Sequence, residues 1–190
     1  ALTRYGTGAG LKDVRSRLIY ETRDGHILVG TLAGLYQFDG SRFQPLGADA
    51  GLGDSFVTAI RELADGTLLV ATFSEDVLYV YSQGRWHAIH SAQGLPANTA
   101  TFLTLDASGD WLWVPGIRGI YRVRIAELMA VAEGKQEQLH PQLILSEQGQ
   151  WSGSEKGLCC NGAGNARGFF DGTRIWLPSR NGVVSVDKIG

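Results

Sequence analysis

Cysteine is almost missing from this chain: its 190 residues hold two, Cys159 and Cys160, side by side. Neighbouring cysteines bond to each other only under strain and cannot build a disulfide framework, so they read as small buried side chains with no redox task. Long hydrophobic runs are missing too. The longest, residues 68–73, falls far short of the roughly 20 residues that span a bilayer, and Ala1 does not open a signal peptide. Neither sign of charge dominates, since 17 Lys and Arg face 19 Asp and Glu for a formal net charge of −2. Without a long-range field, nucleic acid and anionic membrane surfaces are poor partners. Helical periodicity is absent from most of the chain, the exception being residues 125–134, whose alanines and closing Gly134 read as a short helix.

What is present points to an all-β fold. The 26 glycines and five tryptophans suit short, tightly turned antiparallel strands. They also fall into register. Gly-Leu pairs stand at Gly10-Leu11, Gly51-Leu52, Gly94-Leu95 and Gly157-Leu158, each followed 14 residues later by Asp24-Gly25, Asp65-Gly66, Ser108-Gly109 or Asp171-Gly172. A short apolar strand comes next: Ile27-Leu28-Val29, Leu68-Leu69-Val70, Leu112-Trp113-Val114 and Ile175-Trp176-Leu177. Then come Gly34-Leu35-Tyr36, Val77-Leu78-Tyr79, Gly119-Ile120-Tyr121 and Gly182-Val183-Val184. Asp-Gly between apolar segments signals a hairpin, here expected as a type I′ turn with positive φ at both positions. A fourth, outer strand follows in the first two repeats, at residues 42–46 and 85–89, and residues 143–145 supply it in the third.

Double hairpins spaced 41 and 43 residues apart, then 63, are each too thin to bury a face alone. Stacked radially, they form a β-propeller. The expected blades are residues 10–50, 51–93, 94–156 with a helix and loop insertion, and 157–190. Residues 1–9 resemble the outer strand of a preceding blade. About four blades of four-stranded antiparallel sheet are expected, with exposed edges that self-association or further blades of the same chain would cover.

The motif resembles the two-component regulator propeller repeat, which runs Gly-Leu, inner strand, Asp-Gly, Leu-Trp-Val-Gly-Thr and Gly-Leu-Tyr-x-Phe-Asp. The first repeat is most similar, from Asp24-Gly25 through Val29-Gly30-Thr31 to Gly34-Leu35-Tyr36-Gln37-Phe38-Asp39. The second has Ala71 for glycine and two extra residues around Ser74-Glu75-Asp76, and the third has Pro115-Gly116 for Gly-Thr. The fourth is similar to the last blade of many members, after which an immunoglobulin-like module is expected. The resemblance implies a partial ring of a larger, seven-bladed propeller in the periplasmic sensor region of a bacterial transmembrane receptor with a histidine kinase or diguanylate cyclase output, a segment that is itself expected to be no enzyme.

Propellers bind ligands along the axis or on the face built from the loops that lead into the inner strands and the middle hairpin turns. Those loops carry Arg15, Asp54, Asn98, Arg118, Asn161, Arg180 and Asn181, which read either as turn caps facing solvent or as a convergent ligand site. A small solute such as a saccharide is the expected ligand, with no cofactor and no metal. Glycines at residues 161–165 either open an axial pocket or allow close backbone approach. His87 and His90 sit three apart on a strand and cannot easily share a metal, and Ser152-Gly153-Ser154 reads as a turn. Trp86, Trp111, Trp113, Trp151 and Trp176 belong mainly between sheets, where an exposed one could stack on a sugar. A rival reading, a carbohydrate-active lyase or glycosidase, requires Asp13, Asp54 or Asp76 to converge as acid and base. A third, an architectural propeller that presents a surface to another protein, requires a flat face without a pocket.

Overall fold

The computed structural model describes residues 1–146, 160, 168–179 and 182–187. Its strands form meanders, each running from an inner to an outer edge. The first sheet is β1 (Ser16–Glu21), β2 (Ile27–Thr31), β3 (Gly34–Phe38) and β4 (Phe43–Leu46); the second is β5 (Val57–Glu62), β6 (Leu68–Thr72), β7 (Val77–Ser82) and β8 (Arg85–His90). The third is β9 (Thr104–Leu105), β10 (Trp111–Gly116), β11 (Gly119–Arg124) and β12 (Gln142–Ser146), with helix α1 (Ile125–Ala132) inserted before its last strand. The fourth, β13 (Phe169–Phe170), β14 (Arg174–Ser179) and β15 (Gly182–Asp187), has three strands among the described residues. All pairings are antiparallel. These sheets are four blades of a β-propeller.

The alternation along each strand decides which neighbour a blade packs against. Leu18, Leu28 and Leu35 of the first blade meet Val57, Val70 and Tyr79 of the second. Leu69, Leu78 and Ile89 on the other face of the second blade meet Leu112, Val114 and Val123 of the third. Trp111 and Trp113, one residue out of phase with Leu112, turn to Ile175 and Leu177 of the fourth. Each fully buried side chain of this size contributes about 1.5–3 kcal/mol, and no blade can supply both walls of its own core. Leu128 and Val131 of α1 join the cluster between the second and third blades.

The Gly-Leu pairs have a common physical cause. Gly10, Gly51 and Gly94 take left-handed φ of 105°, 98° and 88°, and the leucine that follows each is buried. The glycine reverses the chain so that the leucine plugs the gap beside the blade.

Three expectations need correction. The Asp-Gly turns are not type I′, because Gly25 and Gly66 have φ of 82° and 87° while Asp24 and Asp65 keep negative φ. The Thr22 N–H donates to His26 O and the Gly25 N–H to Thr22 O, which makes a longer loop needing one left-handed residue. Both central residues have positive φ instead at Gln83 and Gly84, 50° and 77°, between the paired Ser82 and Arg85. Residues 2–5 form no strand; Tyr5 instead packs edge-on against Phe38 and Phe43 of the first blade at 5.0 and 5.7 Å. Cys160 is fully buried and disulfide-bonded, not a free thiol.

Asp39 and Asp171 share one turn chemistry. Asp39 Oδ1 accepts the N–H of Arg42 at 2.8 Å and of Ser41 at 2.9 Å, which holds its carboxyl down at about 2. The Trp176 indole donates to Asp171 Oδ2 at 2.8 Å, and Arg174 and Thr173 N–H donate to Oδ1, with the same result, about 2. A carboxyl lowered by folding contributes stability above its unfolded value, 3.8, and loses it as pH falls through the folded one. The melting temperature is therefore expected to drop as pH falls from about 4 to about 2. Asp39→Asn with Asp171→Asn should flatten that drop in a calorimetric pH series; an unchanged slope would contradict the assignment.

Candidate functional site

Hydrogen bonds join the loops at one end of the blades into a continuous rim. Within blades, the Leu32 N–H donates to Arg15 O at 3.2 Å, Phe73 N–H to Phe56 O at 2.8 Å and Ile117 N–H to Thr99 O at 3.1 Å. Between blades, the Gly34 N–H donates to Ser55 O at 2.8 Å and the Asn98 N–H to Glu75 O at 2.9 Å, while Thr99 Oγ1 donates to Phe73 O at 3.1 Å. The middle hairpin of one blade is thus tied to the leading loop of the next.

Four of the seven expected site residues are described, and all four lie on this rim. Asn98 and Arg118 come together. Asn98 Oδ1 accepts the Arg118 N–H at 2.9 Å, its Nδ2 donates to Gly119 O at 3.1 Å, and Arg118 Nε donates to Glu75 Oε1 at 2.9 Å. Asn98 is thereby committed to holding two turns, whereas the exposed Arg118–Glu75 pair contributes little to stability and leaves the guanidinium at the surface.

Arg15 grips Asp13 with two bonds, Nε to Oδ1 at 2.9 Å and Nη2 to Oδ2 at 2.6 Å. This grip, helped by the Arg15 backbone N–H, lowers the Asp13 carboxyl to about 2. Asp54 pairs with Lys12 across the gap between the first two blades. The pair borders a cleft of about 440 Å³ lined also by Tyr36, Pro45 and the backbone of Gly10, Gly51 and Gly53. Tyr36 braces it, its hydroxyl accepting the Lys12 N–H at 3.1 Å and donating to Ala33 O at 3.2 Å. The interaction with Asp54 raises the Lys12 ammonium, so Lys12 faces the cleft as a cation.

Asn161, Arg180, Asn181, the glycines among residues 161–165, Trp151 and residues 152–154 lie outside the described residues. Among the described residues no three His, Cys, Asp or Glu side chains gather as a metal site. Lys12 and Glu75 belong to the rim but were not among the expected site residues. Glu75 had a signal, the two extra residues around Ser74-Glu75-Asp76; Lys12 had none, because its partner is 42 positions away. Asp76, one of the acids the enzyme reading needs, accepts the Ser74 hydroxyl at 2.7 Å.

No family model matches the chain, and no curated protein matches it. Solved structures do. The extracellular domain of a candidate hybrid two-component system of B. thetaiotaomicron, BT3049, superposes with a TM-score of 0.66 at 15% identity over 98% of this chain and 23% of its own. That of a candidate one-component system of the same organism, BT4673, gives 0.67 at 22% identity, again over 98% and 23%. A gluconolactonase of Xanthomonas campestris, XC5397, gives 0.56 at 16% identity over 98% and 60%. The chain thus spans about a quarter of the signalling domains' length, and at these identities the likeness shows the fold: four propeller blades similar to those of extracellular domains in bacterial signalling proteins.

Proposed function

We propose that this chain belongs to the periplasmic, ligand-binding sensor region of a bacterial transmembrane receptor of two-component or diguanylate cyclase type. The superposition of 98% of the chain on two extracellular signalling domains, at TM-scores of 0.66 and 0.67, carries the reading. The rim supports it: Lys12 and Asp54 offer charged groups in a cleft of about 440 Å³, a size that takes a small solute, and Arg15, Arg118 and Glu75 add charged groups elsewhere on the same rim. A saccharide suits this mixture of charged donors and acceptors with open backbone.

Catalysis is the weaker reading. Asp13 is gripped by Arg15 and its carboxyl lowered to about 2, which makes it a poor proton donor at neutral pH, and Asp54 pairs with Lys12 rather than with a second acid. Further blades complete the ring. Ile19 on the free face of the first blade is 66% exposed, and Phe169 and Val183 on the fourth are 66% and 73% exposed, apolar surface that a neighbouring blade would bury.

Calorimetric titration of the intact sensor region against mono- and disaccharides and other periplasmic solutes tests this function. Saturable heat that Lys12→Ala or Asp54→Ala abolishes is expected; silence across the whole panel would overturn the reading.

A further inference from the structure

The third blade differs from its neighbours in one connection. The first two join their third and fourth strands through residues 39–42 and 83–84, whereas the third spends residues 125–141 on the same task. Two residues suffice to close a hairpin, so the added chain does something else. One side of α1 packs inward through Leu128 and Val131. Glu127, Gln136 and His140 instead line a cleft of about 450 Å³ together with Trp111, Arg124 and Gln142. The cleft lies at the end of the blade that carries the Ser108-Gly109 turn, opposite the rim that holds Asn98 and Arg118, and its volume falls in the range of small-ligand sites.

The polar groups in this cleft are held in place before any ligand arrives. The Arg124 guanidinium carbon lies 4.4 Å from the centroid of the Trp111 ring, and that of Arg122 lies 4.2 Å from it. Stacking on an indole fixes a guanidinium while leaving its N–H fork free to point outward. Arg124 is exposed and makes no ion pair among the described residues. Across the cleft, Glu127 Oε1 accepts Gln136 Nε2 at 2.8 Å and lies 2.5 Å from His140 Nδ1. Burial pushes the Glu127 carboxyl up, but bonds from His140 and Gln136 outweigh it and keep the carboxyl below its usual value. Glu127 is therefore an acceptor at neutral pH. Arg122 Nε donates to Gln142 Oε1 at 2.8 Å, which orients the Gln142 amide so that its NH2 remains a donor.

We propose that this cleft binds a hydroxylated carboxylate of about one sugar ring, a sugar acid, with its carboxylate on Arg124 and its hydroxyls between Glu127 and Gln142. A neutral sugar would leave the guanidinium without an anion. An acid without hydroxyls would satisfy Arg124 and present nothing to Glu127. Arginine suits the first role because its planar fork meets a carboxylate with two parallel bonds. The site is separate from the rim, and the proposal stands whether or not the rim binds a solute.

Calorimetric titration of this chain with glucuronate, glucose and acetate tests it. Saturable binding of glucuronate is expected, with glucose and acetate weaker by at least about tenfold. Arg124→Gln should weaken glucuronate by at least about tenfold and leave glucose unchanged, and Glu127→Gln should weaken glucuronate without altering acetate. Arg85→Gln, an exposed change on β8, serves as the control, and circular dichroism confirms that each variant is folded. Absence of heat with glucuronate, equal affinity for glucose, or unaltered binding in both variants would overturn the assignment. Variants of Lys12 or Asp54 read the rim separately, so the two sites fail independently.

Discussion

Gly94→Ala and Gly10→Ala are each expected to destabilise the fold by about 3 kcal/mol, against about 1–2 kcal/mol for Gly51→Ala. All three glycines open a repeat and all three hold left-handed φ, which costs a residue with a Cβ about 1–2 kcal/mol. Their surroundings differ. A Cβ on Gly94 would lie 2.7 Å from Leu139 O and one on Gly10 would lie 2.4 Å from Phe43 O, both rigid backbone atoms, whereas one on Gly51 would meet only the Tyr79 hydroxyl at 3.4 Å. The first two variants thus add overpacking of about 1–3 kcal/mol to the strain. Urea unfolding of the three proteins reads this as two midpoints lowered well below the third. Equal losses would show that the dihedral alone matters and that the close approach of Leu139 to Gly94 is relaxed at no cost.

The second large effect lies between the third and fourth blades. Trp113→Ala should cost about 3–5 kcal/mol, because the ring is 1% exposed and packs with Ile120, Ile175 and Leu177, leaving a large cavity when truncated. Trp113→Phe should cost only about 1 kcal/mol. The indole Nε1 is buried without a hydrogen-bond partner among the described residues, so phenylalanine loses volume but also removes an unsatisfied donor that costs about 1–3 kcal/mol. Thermal unfolding of both variants separates the contributions. If Phe proves as damaging as Ala, the indole N–H is bonded in solution and the assignment of a purely apolar role fails.

The blades were legible in the sequence because their determinants are local. Strands β2, β6, β10 and β14 follow Asp24-Gly25, Asp65-Gly66, Ser108-Gly109 and Asp171-Gly172 at a constant interval, and even α1 and β12 fall where residues 125–134 and 143–145 suggest them. Turn type was less legible. Asp24-Gly25 carries a type I′ signature, yet the Thr22–His26 bonds close a longer loop; the flanking register, not the dipeptide, chooses the turn. The candidate site was legible only in part. Arg15, Asp54, Asn98 and Arg118 lie in loops at one end of the blades, but each side chain's partner comes from packing. Asn98 read as a turn cap or a ligand group, and its side chain is occupied by the Arg118 N–H and Gly119 O.

Residue order alone determined the period, the all-β class and the direction in which each strand turns its apolar side, since φ preference at glycine and a two-residue alternation act within a few positions of chain. Tertiary structure decided which charges meet. Lys12 reaches Asp54 and Arg118 reaches Glu75 only after neighbouring blades stack, and Glu127, His140 and Trp111 share a cleft only because the inserted helix folds back on the third blade. Such pairings join residues 13 to 43 positions apart, a distance over which local propensity carries no information and burial between blades carries all of it.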